Sequence, residues 1–257
     1  MTLRRLSSAT QAGTAPLLLL HPLGVTSEFW DQIAADLSDL ELLTLDLPGH
    51  GSSPLLPEGL SVRTIAEWVV ELLTEAGLTK VSVVGVSLGG LIAQHLAGYH
   101  PDLVERLILV DTVPIYPEPV SAMWLERARL ARESGPGQFA APTLDTWFTK
   151  EAITRGHAEI GFVRDSIERM DAESYAANCE VLASADLTNI AEVIKAPTLI
   201  VCGDDDLPAF TQAADWFAEH LTSALPVVWI APARHAAILE LPAEFARAVH
   251  AFLSSPA

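Results

Sequence analysis

Short, mostly apolar runs alternate along this chain with longer stretches of helical periodicity. Each run has four to six residues, is rich in Val, Ile and Leu, and is bounded by Gly, Pro or Asp. Such runs predict strands that are buried on both faces, and the helical stretches predict the crossovers between them. The chain is therefore predicted to form an α/β fold, with a mostly parallel sheet covered by helices on both faces. The predicted strands are 16–20, 42–47, 81–86, 107–110, 198–201 and 227–230.

One segment departs from this alternation. Between residues 114 and 193 the patterns are helical and no run predicts a strand. An all-helical insertion of this size is expected to cover the sheet as a cap, so we predict a core of residues 1–113 and 194–257 and a helical cap of residues 114–193. The cap helices are predicted at 123–133, 150–155, 157–170 and 172–185, and the clearest core helices at 61–76, 88–99 and 242–253.

Charge and cysteine content argue against several function classes. The chain carries 15 Lys and Arg against 33 Asp and Glu, a formal charge of −18, which disfavours nucleic acids and anionic membranes as partners because both need clustered cations. No apolar run approaches the ~18 residues of a membrane span. Cys179 and Cys202 fit neither a disulfide framework nor a metal site. We expect a cytoplasmic protein that acts on a small molecule, and the sequence leaves its oligomeric state open.

The pentapeptide Gly85-Val86-Ser87-Leu88-Gly89 follows a β-branched run and begins a predicted helix. A serine on such a tight strand-to-helix turn needs a strained backbone, and flanking glycines relieve the crowding there. The helix N-terminus also presents free N–H groups to an oxyanion beside Ser87. The pattern favours a nucleophilic serine over the alternative, a glycine-rich junction with a capping serine.

A serine hydroxyl needs an adjacent base, and one of the eight histidines is well placed for that role. His235 follows the last predicted strand and so lies at a carboxyl end of the sheet, where open α/β folds place their sites. The third member should be an acid at another strand end, between serine and histidine in chain order. Three adjacent candidates, Asp204, Asp205 and Asp206, follow the strand at 198–201, and Asp111 is a fallback.

An oxyanion needs two donors. The segment His21-Pro22-Leu23-Gly24 follows the first predicted strand, and Pro22 has no N–H to donate. The backbone amides of Leu23 and Leu88 are therefore the predicted pair. The sequence contains no dinucleotide fingerprint, Walker loop, His-Glu-x-x-His or close Cys pair, so it predicts neither a cofactor nor a metal.

These elements in this order resemble the α/β-hydrolase superfamily over nearly the whole chain, and segment 46–53 (Asp-Leu-Pro-Gly-His-Gly-Ser-Ser) is typical of its members. Within it the chain is most similar to 3-oxoadipate enol-lactonases, at residues 23–24, 29–31, 123–124, 146–149, 171–187 and 240–245. The resemblance implies an α/β-hydrolase fold with a helical cap inserted after the family's sixth strand. It selects Asp206, three residues after Gly203, as the acid. It also implies a cofactor-free serine hydrolase that cleaves a small lactone or ester, 3-oxoadipate enol-lactone in aromatic catabolism.

Three features depart from that family's pattern. Only residues 1–15 precede the first predicted strand, where the family has a longer β-hairpin, so we expect to find at most an edge strand at residues 3–6. His21-Pro22 stands where small polar residues are usual, and Arg234 precedes the base where a small residue is common. These departures leave Ser87, His235 and Asp206 in place.

The implied enol-lactone carries a carboxylate, which a protein of charge −18 repels at long range. A cap arginine such as Arg127, or Arg234 beside the base, could bind that carboxylate with both arms of its guanidinium. The alternative is that these arginines form ion pairs with glutamates and aspartates on helix surfaces. Trp124 and Trp147 are candidates for the pocket wall or for the cap core.

Other functions fit the same triad. They are a general carboxylesterase, a carbon–carbon-bond hydrolase of a ring-cleavage product, and a cofactor-free perhydrolase. A different class is a ligand receptor that has kept the fold without turnover.

Overall fold

The computed structural model describes residues 3–8, 15–156 and 158–255. In these ranges the strands are β1 (Arg4–Ser8), β2 (Leu17–Leu20), β3 (Glu41–Thr44), β4 (Val81–Val86), β5 (Val104–Val110), β6 (Thr198–Gly203) and β7 (Val228–Ile230). They form one sheet in the order β1-β3-β2-β4-β5-β6-β7. The edge strand β1 is antiparallel to β3, and every other neighbouring pair is parallel.

Helices cover the sheet. They are α1 (Asp31–Ala34), α2 (Val62–Glu75), α3 (Leu88–Tyr99), α4 (Glu118–Ser134), α5 (Ala140–Trp147), α6 (Lys150–Arg155), α7 (Ala158–Arg169), α8 (Ala172–Ser184), α9 (Pro208–His220), α10 (Ala237–Glu240) and α11 (Pro242–Leu253). Strands β2, β4 and β6 are buried at every residue, which explains why they are mostly apolar and lack the alternation of a half-exposed strand. Within the described ranges, no helix is long and apolar enough to cross a membrane.

Local side chains set several helix starts. The Ser61 hydroxyl accepts from the Thr64 N–H, and the Thr64 hydroxyl accepts from the Ser61 N–H, so α2 begins with a reciprocal capping box. Asp171 caps α8 with a single bond, in which its carboxylate accepts from the Ser174 N–H at 2.8 Å. These bonds satisfy backbone donors that a helix leaves free in its first turn.

Along the chain, helices α4 to α8 come between β5 and β6. They contact loops at the carboxyl edge of the sheet. The Asn178 amide donates to the Pro48 carbonyl at 3.0 Å. The Ala236 N–H donates to the Trp147 carbonyl at 2.9 Å. The inserted helices therefore lie over the edge at which the predicted site residues are found. We retain the division into a core (1–113 and 194–257) and a cap (114–193) as a proposal.

The observed elements differ from the predicted ones at several ends. Strand β3 ends at Thr44 and not at residue 47, because the Leu47 N–H donates to the His21 ring instead of to a strand. Strand β5 begins three residues before the predicted start, and α5 and α9 were not predicted. The edge strand expected at residues 3–6 is β1. Residue 157, the predicted start of a cap helix, lies outside the described residues.

Candidate active site

Ser87 lies between β4 and α3, at the middle of the sheet's carboxyl edge. Its φ of 51° and ψ of −111° are a strained conformation for a residue with a side chain. Two hydrogen bonds hold it there. The Ser87 N–H donates to the Val110 carbonyl at 3.0 Å, and the Thr112 hydroxyl donates to the Ser87 carbonyl at 2.8 Å. The end of β5 and Thr112, two residues after it, therefore hold the strained turn that the pentapeptide predicted.

The flanking glycines have no room for a side chain. A Cβ on Gly85 would lie 2.3 Å from the Gly89 carbonyl oxygen, and a Cβ on Gly89 would lie 2.2 Å from the Leu20 carbonyl oxygen. Both distances are far inside van der Waals contact.

His235 follows β7, and its Nδ1 lies 2.9 Å from Oδ2 of Asp206. The other carboxylate oxygen of Asp206 accepts from the Leu207 N–H at 2.7 Å. Burial lowers the pKa of His235, but the charge and hydrogen bond of Asp206 outweigh that effect, so the pKa of His235 is raised overall. The pair thus stabilises an imidazolium in a buried position.

The three adjacent aspartates have different partners. Asp204 accepts from the Ala233 N–H at 3.1 Å, and Asp205 accepts from Nε of Arg234 at 2.8 Å. Asp206, by contrast, is buried and faces the histidine ring. The geometry therefore brings Asp206, and neither of its two neighbours, to His235.

Asp111, the fallback acid, is buried beneath this pair. Its Oδ1 accepts from the Gly203 N–H at 2.9 Å, and its Oδ2 has no partner among the described residues. Burial and the nearby charge of Asp206 raise the pKa of Asp111, and burial raises the pKa of the Cys202 thiol. Ligand atoms of Asp111, Cys202 and Asp206 lie within 4.8 Å of one another. Both oxygens of Asp206 are already engaged, by the Leu207 N–H and by His235, so we assign no metal to this cluster.

Two buried histidines fix the loop at residues 21–24. Nε2 of His50 accepts from the Gly24 N–H at 3.2 Å, and Nε2 of His21 accepts from the Leu47 N–H at 2.9 Å. Burial lowers the pKa of His21 to about 4 and that of His50 to about 3, so both rings are neutral near pH 7 and can accept. The unusual His21 therefore has a structural role, which sequence analysis did not assign.

The predicted oxyanion donors remain available. Leu23 lies in this fixed loop, and Leu88 is the first residue of α3. Neither backbone N–H donates to another group among the described residues. Both are buried, with Leu23 8% exposed and Leu88 fully covered.

A cavity of about 140 Å³ joins the predicted residues. Its lining includes Leu23, Ser87, Trp124, Arg127, Trp147 and His235. The His235 ring packs between the rings of Phe210 and Trp147, with centroids 4.2 and 5.6 Å away. A separate cleft of about 580 Å³, lined by Asp46 and His50 among others, contains neither Ser87 nor His235.

Arg234 lies outside the lining of this cavity. Its Nε donates to Asp205, and its Nη1 donates to the Asp145 carbonyl at 2.8 Å. These bonds tie the loop before His235 to helix α5. We therefore leave Arg234 out of the proposed substrate pocket.

Tyr116 is a neighbour of the site that sequence analysis missed. It is 4% exposed, and its ring packs edge-on against Phe210 with centroids 6.2 Å apart. Burial raises the pKa of Tyr116. The signal that could have found it is the position of Tyr116 in the loop directly after β5, at the carboxyl edge of the sheet.

Comparisons with known proteins identify the family of the chain. The model of the alpha/beta hydrolase family matches residues 17–248. The chain is 28% identical to 3-oxoadipate enol-lactonase 2 of Acinetobacter baylyi, over 95% of this chain and 90% of that protein. It is 31% identical to a pimeloyl-(acyl-carrier protein) methyl ester esterase of Chromobacterium violaceum, over 94% and 95%. The crystal structure of the enol-lactonase from Burkholderia xenovorans LB400 superposes with a TM-score of 0.89 at 30% identity, over 98% of this chain and 96% of that one. The chain belongs to the alpha/beta hydrolase family.

Proposed function

We propose that this protein is a serine hydrolase that cleaves a carboxylic ester or lactone through an acyl-enzyme. The observation that carries the proposal is the contact of 2.9 Å between His235 and Asp206, in a buried site whose cavity Ser87 also lines. A serine, a histidine and a carboxylate in this relation are the parts that acyl transfer needs.

In the proposed reaction, Oγ of Ser87 attacks the carbonyl carbon while Nε2 of His235 takes the hydroxyl proton. Asp206 holds the ring through Nδ1 and stabilises the imidazolium. The backbone N–H groups of Leu23 and Leu88 bind the tetrahedral oxyanion; one such donor is typically worth ~10²–10³ in rate. His235 then gives its proton to the leaving oxygen, which breaks the carbonyl carbon–oxygen bond. A water activated by the same ring hydrolyses the acyl-enzyme and restores Ser87.

The substrate that we propose is 3-oxoadipate enol-lactone, an intermediate of aromatic catabolism. Two similar proteins support it, one from Acinetobacter baylyi and one from Burkholderia xenovorans, both named as enol-lactonases. The similarity to a methyl ester esterase supports the coarser assignment to ester cleavage. The cavity of about 140 Å³ favours a small substrate, since pockets for drug-sized ligands usually measure ~300–1,000 Å³.

The test follows the ultraviolet absorbance of 3-oxoadipate enol-lactone with the wild-type protein and with Ser87→Ala. We expect kcat/KM above ~10⁴ M⁻¹s⁻¹ for the wild type, an ordinary enzymatic value, and no turnover with the variant. Cleavage of a neutral aryl ester with no effect on the lactone would keep the serine hydrolase and reject the substrate. Saturable binding of the lactone without turnover of any ester would instead favour a ligand receptor.

A further inference from the structure

Arg127 stands apart from the other arginines of the inserted helices. Arg127 lies in α4 and has no carboxylate partner among the described residues. The others each contact a carboxylate: Arg129 with Glu126 and Glu133, Arg132 with Glu173 and Glu180, Arg155 with Glu151, and Arg164 and Arg169 with Asp165. Those five arginines form the surface ion pairs that the sequence analysis gave as the alternative to carboxylate binding, whereas Arg127 does not.

The Arg127 guanidinium is held in place by neutral groups. Its Nε donates to the Tyr175 hydroxyl at 2.7 Å, and its Nη2 donates to the Thr143 hydroxyl at 2.7 Å. Burial raises the pKa of Tyr175 despite the nearby charge of Arg127, so the phenol stays protonated near pH 7. Neither partner neutralises the positive charge.

Aromatic rings surround the same group. The guanidinium carbon lies 4.6 Å from the Phe139 ring centroid, 5.2 Å from that of Trp124 and 5.5 Å from that of Tyr175. Such rings attract a cation and fix its orientation, but they carry no formal negative charge. A guanidinium has five N–H donors, and the two bonds to Thr143 and Tyr175 use two of them. Three donors are left without a partner among the described residues.

Arg127 also lines the cavity that contains Ser87 and His235. A partly buried cation without a counter-ion is costly, and an anion that enters the cavity would offset that cost. A carboxylate matches the planar fork of an arginine and is bound by two parallel N–H groups. The chain carries a charge of −18, so this local cation is what would overcome the long-range repulsion of an anionic substrate.

We propose that Arg127 binds the carboxylate of a substrate whose scissile ester or lactone reaches Ser87, and that the site therefore selects small anionic esters over neutral ones. This assignment rests on the proposed hydrolase function and adds the substrate class and the residue that selects it. Thr143 and Tyr175 are positioning residues for the guanidinium.

The experiment compares monomethyl glutarate with dimethyl glutarate, which share the scissile methyl ester and differ in a terminal carboxylate. We expect the wild type to prefer the monomethyl ester. In Arg127→Gln the ratio of kcat/KM for the two esters should fall by ~10–100-fold, because a charge-assisted hydrogen bond is lost. Arg129→Gln, which removes an ion-paired arginine two residues along the same helix, should leave the ratio at its wild-type value. Equal losses on both esters in Arg127→Gln would overturn the proposal.

Binding of glutarate, measured by calorimetry, separates this proposal from the hydrolase function. The wild type should bind glutarate, and Arg127→Gln should bind it ~10–100-fold more weakly. Binding through Arg127 without cleavage of either ester would reject the hydrolase and keep the carboxylate site. Cleavage of both esters with equal kcat/KM and no binding of glutarate would keep the hydrolase and reject the carboxylate site. If Arg127→Gln does not fold, Arg127→Lys provides the test. A lysine keeps the positive charge but lacks the planar fork that binds both carboxylate oxygens. Wild-type selectivity for the monomethyl ester in Arg127→Lys would also count against the proposal.

Discussion

Replacing His50 with Gln should weaken the dependence of the protein's stability on acidic pH. The His50 ring is buried, and its Nε2 accepts from the Gly24 N–H, which a protonated ring cannot do. Its ring also meets that of His21 edge-on, with centroids 4.8 Å apart. A glutamine offers an amide oxygen in place of Nε2 and does not titrate.

The size of the effect follows from the pKa of His50. Burial lowers it to about 3 in the folded chain, against 6.5 for an unperturbed histidine. The unfolded chain therefore binds a proton that the folded chain refuses, so stability that is present above pH 6.5 is lost as the pH falls towards the folded pKa. At pH 5 the loss is about 2 kcal/mol, because ~1.5 units at ~1.36 kcal/mol each separate that pH from the unfolded value.

Urea unfolding, followed by tryptophan fluorescence between pH 8 and pH 5, measures this loss. The free energy of unfolding of the wild type should fall by about 2 kcal/mol more than that of His50→Gln over this range. Comparing the slopes of the two proteins removes the contribution of every titrating group that does not contact His50. Parallel slopes would refute the reasoning, because they would mean that His50 titrates alike in the folded and unfolded chains.

Three further predictions concern the site itself. Asp206→Asn should lower kcat by ~10⁴, because the amide no longer stabilises the imidazolium of His235; a loss below tenfold in an ester assay would contradict that role. Gly89→Ala should destabilise the fold by ~1–3 kcal/mol, since its Cβ would lie 2.2 Å from the Leu20 carbonyl oxygen, and calorimetric melting should show it. An unchanged melting temperature would count against the contact. Asp111→Asn should gain stability relative to the wild type as pH rises from 5 to 8, because the raised pKa of Asp111 makes the folded wild type hold a proton that the unfolded chain releases. If urea unfolding shows the same difference in free energy of unfolding between the two proteins at every pH, this prediction is wrong.

Much of the architecture could be predicted from local pattern. Segment Val81–Val86, with valine at four of its six positions and no regular polar alternation, was predicted as a strand, and it is buried at every residue. Helix α3 was predicted with the observed ends, because it begins at the pentapeptide and stops before Pro101. Helix α9 was missed. It begins at Pro208, immediately after the loop that holds Asp206, where the sequence analysis looked only for an acid.

The site was only partly accessible from the sequence. The pentapeptide Gly85–Gly89 predicts Ser87. Position after a strand and chain order predict His235, because the carboxyl ends of parallel strands meet at one edge. The choice among Asp204, Asp205 and Asp206 needed a resemblance, since spacing cannot tell which of three adjacent carboxylates faces a ring.

The tertiary structure determines which groups each charged or polar side chain contacts. Arg127 and Arg129 lie in one helix, two residues apart, yet one lines the cavity and the other forms surface ion pairs. His21 and His50 were placed in loops by the sequence, but only the fold reveals that they are buried, neutral acceptors for backbone N–H groups. Periodicity records which face of an element is covered, because burial repeats with the helix or strand. Partners of polar groups come from distant parts of the chain, and no local pattern records them.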